Sequence, residues 1–297
     1  MNTKKIYISG CGGMLGEAFY QIFSKSYNLK CTDINNNEEW LNYLDFRNYE
    51  KYEKDVLSFC PNYLFHLGAH TDLEYCEMHK KDALDTNFNS VKNAVKISNI
   101  LKIPLLYIST AGIFDGKKLI YDDFDTPNPL SYYGYTKYEA EKYVISNCNN
   151  YLICRAGWMM GGGQKKDKKF VNKIIKQIKE GRKELYIVND KDGTPTYTID
   201  FAKNVHLMIK NNLQGLFNLV CEGQTSRFEV CKAIIKFLNL EKDITINKVQ
   251  SDYFKKKYFA IRPPSERLIN KKLNSLDLNI MRDWRICLEE YIKKNFQ

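Results

Sequence analysis

The chain has 297 residues, of which 44% are hydrophobic and 27% charged, and a formal net charge of +10. This is the balance of a soluble globular protein long enough for one large α/β domain, or for one domain plus a smaller lobe. No run of about 18 apolar residues is present, which excludes a membrane-spanning helix. The N-terminus has no apolar signal-peptide core, so a cytoplasmic protein is expected. The lysines are spread along the chain rather than gathered in one stripe, so a solvated surface is expected rather than a nucleic-acid groove, although a basic surface suits a phosphate-bearing substrate. Nine cysteines stand singly and four histidines lack metal-ligand spacing. They read as reduced thiols without a metal centre.

Taken in order, the first half alternates short β-branched or aromatic runs with amphipathic stretches. "KIYISG" predicts a strand, "MLGEAFYQIFSK" a helix, "LKCTDI" a strand, "YEKYEKDVLSFC" a helix and "YLFHLGA" a strand. One long helix is predicted over 82–101, then the strand "PLLYIST", the helix "GYTKYEAEKYVISN" and the strand "YLICRAG". This βαβ rhythm predicts a Rossmann-type doubly wound parallel sheet with helices on both faces. After Gly157 the rhythm breaks. "GGGQKKDKK" reads as a loop, and the later helices and strands read as a smaller α/β lobe. The expected division is a dinucleotide-binding unit of residues 1–157 and 196–220, with a substrate-binding lobe of residues 158–195 and 221–297.

"ISGCGGMLGE" sets Gly10, Gly13 and Gly16 between the first strand and the first helix. Glycines there permit a tight turn and let backbone N–H groups and the helix N-terminus meet a pyrophosphate. The second strand ends in Asp33, an acceptor for adenosine ribose hydroxyls and a repellent for a 2′-phosphate. NAD is therefore the preferred cofactor, with NADP admitted.

Three Tyr-x-x-x-Lys pairs occur, at Tyr133, Tyr138 and Tyr253. A chain with 21 Tyr supplies about that many by chance, so context has to choose among them. Tyr133-Gly-x-x-Lys137 follows the strand carrying Ser109 and Thr110. Together with the glycine triplet it resembles the extended short-chain dehydrogenase/reductases, and within them the dTDP-4-dehydrorhamnose reductase branch of nucleotide-sugar reductases. "HLGAHTDLEYCE", "ISTAGIFDGKK", "RAGWMMG", "DGTPTYTIDFA" and "RPPSERL" match further signatures of that branch in order.

The resemblance implies that Thr110, Tyr133 and Lys137 are catalytic. Lys137, one turn from Tyr133, is expected to lower the phenol pKa. Tyr138 and Lys142 are then helix packing and solvated charge. The resemblance also puts Met14, Leu15, Gly68, Ala69, His70, Asn87 and Ala156 beside the cofactor, with Asn87 matching an Asn that supports the active-site scaffold. Asp45 and Phe46 would line the adenine pocket, with a helix cap as the alternative for Asp45. Thr110, Ala111, Trp158, Lys169 and Arg262 would meet the substrate, the last two at its phosphates or nucleotide, with core packing as the alternative for Trp158 and ordinary surface charge for Lys169 and Arg262. Ala111 departs from the branch, which carries Asp there, and this implies a sugar differing from the rhamnose precursor near the reacting carbon. It also argues against a dehydratase, which carries Asp-Glu after the Thr. The function implied is reduction of a nucleotide-linked 4-keto-6-deoxy sugar for glycan assembly. The alternatives are an epimerase of the same superfamily and a non-catalytic NAD(P)-binding regulatory subunit. A homodimer is admitted; nucleic acid and membrane are not expected as partners.

Overall fold

The computed structural model describes residues 3–36 and 38–297. Seven parallel strands form the main sheet. They are β1 (Lys5–Ser9), β2 (Asn28–Asp33), β3 (Leu41–Tyr43), β4 (Tyr63–His66), β5 (Leu105–Thr110), β6 (Tyr151–Ala156) and the strand Gly215–Asn218. Across the sheet the order is β3-β2-β1-β4-β5-β6 followed by Gly215–Asn218. The order reverses between β1 and β4, which opens a crevice at the C-terminal ends of those two strands.

Side chains alternate across the sheet with a period of two. Ile6 and Ile8 of β1, with Leu106 and Ile108 of β5, pack under the Met14–Phe23 and Thr198–Lys210 helices through Phe19, Phe23, Phe201 and Val205. Tyr7, Leu64 and Tyr107 face the other way, against Tyr52, Val56, Val91, Val95, Ala140 and Val144. Both faces are buried, which is why these strands read as near-continuous apolar runs.

The later segments form three small sheets. Trp158–Met160 pairs with Pro195–Tyr197, and Glu184–Val188 with Thr245–Val249. Asp192–Gly193 lies between Thr225–Ser226 and Ser265–Glu266. The last helix, Trp284–Asn295, buries Trp284, Leu288 and Tyr291 in the same apolar cluster as Ile6. Among the described residues, no helix is long and apolar enough to cross a membrane. Eight of the nine cysteines are buried, and all are free.

Two elements differ from expectation. The predicted helix over 82–101 is two α-helices, Lys80–Leu84 and Ser90–Leu101, joined by a π-helical turn at Asp85–Asn89. The extra residue per turn swings Asn87 inward, as π turns do at functional sites. The stretch read as a loop at 161–169 holds a helical turn, Gly163–Lys166. Next to it Asp167 is buried against the Tyr291 hydroxyl, 2.9 Å away.

Candidate active site

The glycine turn closes on the crevice between β1 and β4. Gly10 holds φ +72°, and a Cβ there would collide with the backbone of Gly68 after β4. A side chain other than hydrogen is thus excluded on two grounds. Gly13 faces open space and caps the first helix with no side-chain acceptor, leaving the N-terminal N–H groups free for an anion. Gly16 packs on the carbonyl of Cys11. Met14 lies against Gly162, and Leu15 points into the core. These features fit a dinucleotide pyrophosphate.

The carboxylate of Asp33 accepts from Gly12 N–H at 2.9 Å and Asn35 N–H at 2.9 Å, tying the end of β2 to the glycine turn. Gly12, unremarked in the sequence, is needed for this contact, since a Cβ would sit 2.8 Å from the Asp33 carboxyl carbon. A carboxylate accepts about four hydrogen bonds, so two sites stay open on Asp33.

Several residues expected beside the cofactor are held in a scaffold of packing and hydrogen bonds. Gly68 makes room for the ring of buried Phe46 as well as for Gly10. Asn48, not Asp45, caps the following helix. Asp45 is held by Arg47 at 2.7 Å, and that pairing keeps its carboxyl below the usual range. Arg47 continues to Asp82 at 2.8 Å, and Asp82 takes the His70 ring at 2.8 Å. Asn87 is fully buried. Its side chain accepts from His70 N–H at 2.7 Å and donates to the His70 carbonyl and to Thr136 Oγ1. It therefore buttresses the loop that carries Ala69 and His70 rather than presenting itself to a ligand. Ala156 is buried on β6, in register with Thr110.

The Tyr132–Asn147 helix brings the tyrosine and lysine to the end of β5. Ser131 caps it by accepting from Gly134 N–H at 3.1 Å. A Cβ on Gly134 would strike the Gly112 carbonyl, so this glycine lets the helix close onto the turn after β5. Glu77 accepts from Tyr132 N–H at 2.7 Å and fixes the helix start. A Cβ on Gly112 would stand 3.6 Å from both Thr110 Oγ1 and the Tyr133 ring, so the turn brings these two residues together. The Thr110 hydroxyl accepts from Gly112 N–H at 3.2 Å and is a hydrogen-bonding neighbour of the Tyr133 phenol. Lys137, 4% exposed, sets its ammonium 4.3 Å from the centre of the Tyr107 ring. Tyr138 packs against the cluster of Ala111 and Ile113, and Lys142 pairs with Glu139 at 2.7 Å.

The expected lowering of the Tyr133 pKa by Lys137 is not what this arrangement gives. Burial pushes the phenol up, the Thr110 hydrogen bond opposes this in part, and Cys76 and Glu266 add to the rise. Burial also lowers Lys137 to about 7, against the pull of Glu141 and Cys76. With both groups desolvated, each favours its neutral form.

A pH dependence follows. Between about pH 7 and the ordinary lysine range, the unfolded chain holds a proton that folded Lys137 has lost. The cost of burying this amine is thus fully present below pH 7 and is relieved as pH rises through that window. We expect Lys137→Met to raise the calorimetric Tm relative to wild type at pH 6, and this gain to shrink at pH 9. A gain that does not shrink would show that Lys137 keeps its proton across this window and that its pKa is not lowered by folding.

The substrate side contains residues the sequence did not single out. Trp158 donates from Nε1 to Glu266 Oε2 at 2.7 Å, and Arg227 lies 3.6 Å over its ring. Burial brings Arg227 down to about 10, with Glu266 as its balancing charge and Arg262 as an opposing one. Lys169 donates to the Thr71 carbonyl and hydroxyl at 3.0 and 2.8 Å, and burial lowers it to about 8. Arg262 is gripped on both nitrogens by Glu74, at 2.7 and 2.9 Å. Arg262 is therefore a strut between distant segments, while the side chains of Arg227 and Lys169 make no direct carboxylate contact among the described residues.

A family model described as the RmlD substrate binding domain matches residues 4–296. The crystal structure of a dTDP-4-dehydrorhamnose reductase from Clostridium acetobutylicum superposes with a TM-score of 0.89 at 30% identity, over 98% of this chain and 99% of that one. A dTDP-4-dehydrorhamnose reductase from Bacillus anthracis, solved in complex with NADP, gives a TM-score of 0.90 at 27% identity, over 99% of this chain and 100% of that one. Methionine adenosyltransferase 2 subunit beta of Danio rerio is 26% identical over 80% of this chain and 75% of its own length.

Proposed function

Since the chain belongs to the RmlD substrate binding domain family, we propose that it is an NAD(P)H-dependent reductase of a nucleotide-linked 4-keto-6-deoxy sugar. The observation that carries this reading is that Tyr133 stands beside Thr110 at the end of β5, with buried Lys137 one turn further along the same helix. Gly10, Gly13 and the first-turn N–H groups would hold the pyrophosphate, Asp33 the adenosine ribose and Lys137 the nicotinamide ribose, and the nicotinamide would supply hydride. Tyr133, kept protonated by its surroundings, donates its proton to the ketone oxygen, and Thr110 donates a second hydrogen bond to that oxygen. Residues 1–157 and 196–220 form the cofactor unit in this reading, and residues 158–195 and 221–297 supply Trp158, Lys169 and Arg227 to the sugar and its phosphates.

Oxidation of NADH by the wild-type protein, tested with a panel of nucleotide 4-keto sugars, checks the proposal. Turnover with at least one of them is the expected outcome. The regulatory alternative is favoured by the methionine adenosyltransferase relative and predicts none.

Preference for NAD is a finer part of the proposal, supported by the Asp33 carboxylate lying against Gly12 at the pyrophosphate turn. Asp33→Ala is expected to narrow the gap in kcat/KM between NADH and NADPH. A wild type that already uses NADPH better would overturn this assignment.

A further inference from the structure

Resting on the reductase reading, the geometry points to Glu266 as the residue that selects the sugar: its free carboxylate oxygen accepts a hydrogen bond from the hydroxyl on the carbon next to the ketone. Ala111 and Gly112, which follow Thr110, offer no polar side-chain atom to a substrate. Glu266 brings a carboxylate to that turn. Its Oε1 lies 3.4 Å from where a Cβ on Gly112 would stand, a position also 3.6 Å from Thr110 Oγ1 and from the Tyr133 ring, so the three groups surround Gly112. A ketone held between Thr110 and Tyr133 would thus set its neighbouring carbon toward Oε1.

The carboxylate is anchored at its other oxygen. Oε2 takes the indole N–H of Trp158 at 2.7 Å, and the Arg227 guanidinium stacked on that indole balances the charge. Trp158 is itself seated on Gly193, where any Cβ would overlap the ring. Gly193 belongs to the strand paired with Ser265–Glu266. One oxygen is therefore fixed, and the other lies beside Gly112 as an acceptor for a donor on the sugar. No donor to Oε1 of Glu266 is found among the described residues. The departure at Ala111 removes a carboxylate that the resemblance implies, whereas here Glu266 sets one beside the next residue, Gly112.

Glu266→Gln is the discriminating variant. Its amide oxygen keeps the Trp158 bond, and its NH2 then turns a donor toward the sugar where an acceptor had been. We compare kcat/KM for a nucleotide 4-keto-6-deoxy sugar and for its analogue lacking the hydroxyl beside the ketone. On the hydroxylated sugar the variant should lose about 10- to 100-fold, the scale of one hydrogen bond to a charged group. On the deoxy analogue it should stay within about threefold of wild type, because no bond to that hydroxyl is made there. An equal loss on both sugars, or none on either, would overturn the assignment. The melting temperature and the NADH dissociation constant of the variant report separately on its folding. If wild type turns over no nucleotide 4-keto sugar, the reductase reading fails and takes this inference with it. Turnover by wild type that Glu266→Gln leaves unchanged refutes the inference alone.

Discussion

Tyr133→Phe is expected to lower kcat by about two to four orders of magnitude, the scale of general acid catalysis. The change removes one oxygen from a ring that otherwise keeps its packing, so loss of fold is not expected. Cofactor binding should survive, because the glycine turn and Asp33 lie at the ends of β1 and β2. Burial holds the phenol in its protonated form, so the residue acts as a proton donor and the loss should be nearly constant over neutral pH. Tyr138→Phe is the control: Tyr138 packs on the cluster of Ala111 and Ile113, and its variant should turn over like wild type. Wild-type turnover in Tyr133→Phe would remove this residue from the chemistry.

The second large effect is on stability. Glu141 lies one turn beyond Lys137 and is 1% exposed. It takes both Nε and Nη2 of the buried Arg155 on β6, at 3.1 and 2.5 Å. Truncating it strands a guanidinium whose Nη1 already lacks a partner among the described residues. Glu141→Ala should therefore cost about 3–5 kcal/mol of unfolding free energy, measured by urea denaturation. Replacing both residues together, as Glu141→Leu with Arg155→Met, should recover most of that loss, because no charge is then left buried alone. A single-variant cost below about 1 kcal/mol would mean that the pair behaves like a solvated surface pair.

What could be read from the residues depended on whether the signal was local. The parallel sheet was legible because strands buried on both faces are apolar throughout, as in "KIYIS" and "LLYIST". The glycine turn was legible because strand, turn and helix are contiguous. Tyr133 was separable from Tyr138 and Tyr253 by its position after β5, and Gly134 supplies the packing reason.

Contacts that cross the chain left no local mark. Glu266 and Trp158 are 108 residues apart, and Arg262 and Glu74 are 188 apart. Charge alone made Arg262 look available for phosphate, and nothing nearby in the chain announced Glu74. The sign of the Tyr133 shift was missed for a related reason: spacing on a helix gives proximity to Lys137, but burial decides which protonation state each group prefers. The π turn that directs Asn87 to His70 is one added residue within an otherwise helical pattern, which periodicity does not resolve.

The central claim, net reduction of a sugar ketone at the Thr110–Tyr133–Lys137 site, is tested most directly by isotope transfer. The protein is incubated with a nucleotide 4-keto-6-deoxy sugar and NADH deuterated at the transferred position, and the sugar product is examined by mass spectrometry and NMR. The account predicts one deuterium on the former carbonyl carbon of a reduced sugar, in equal amount to the NAD formed, with the yield collapsing in Tyr133→Phe. An epimerised sugar without net deuterium, or no consumption of labelled NADH by wild type with any such sugar, would contradict it.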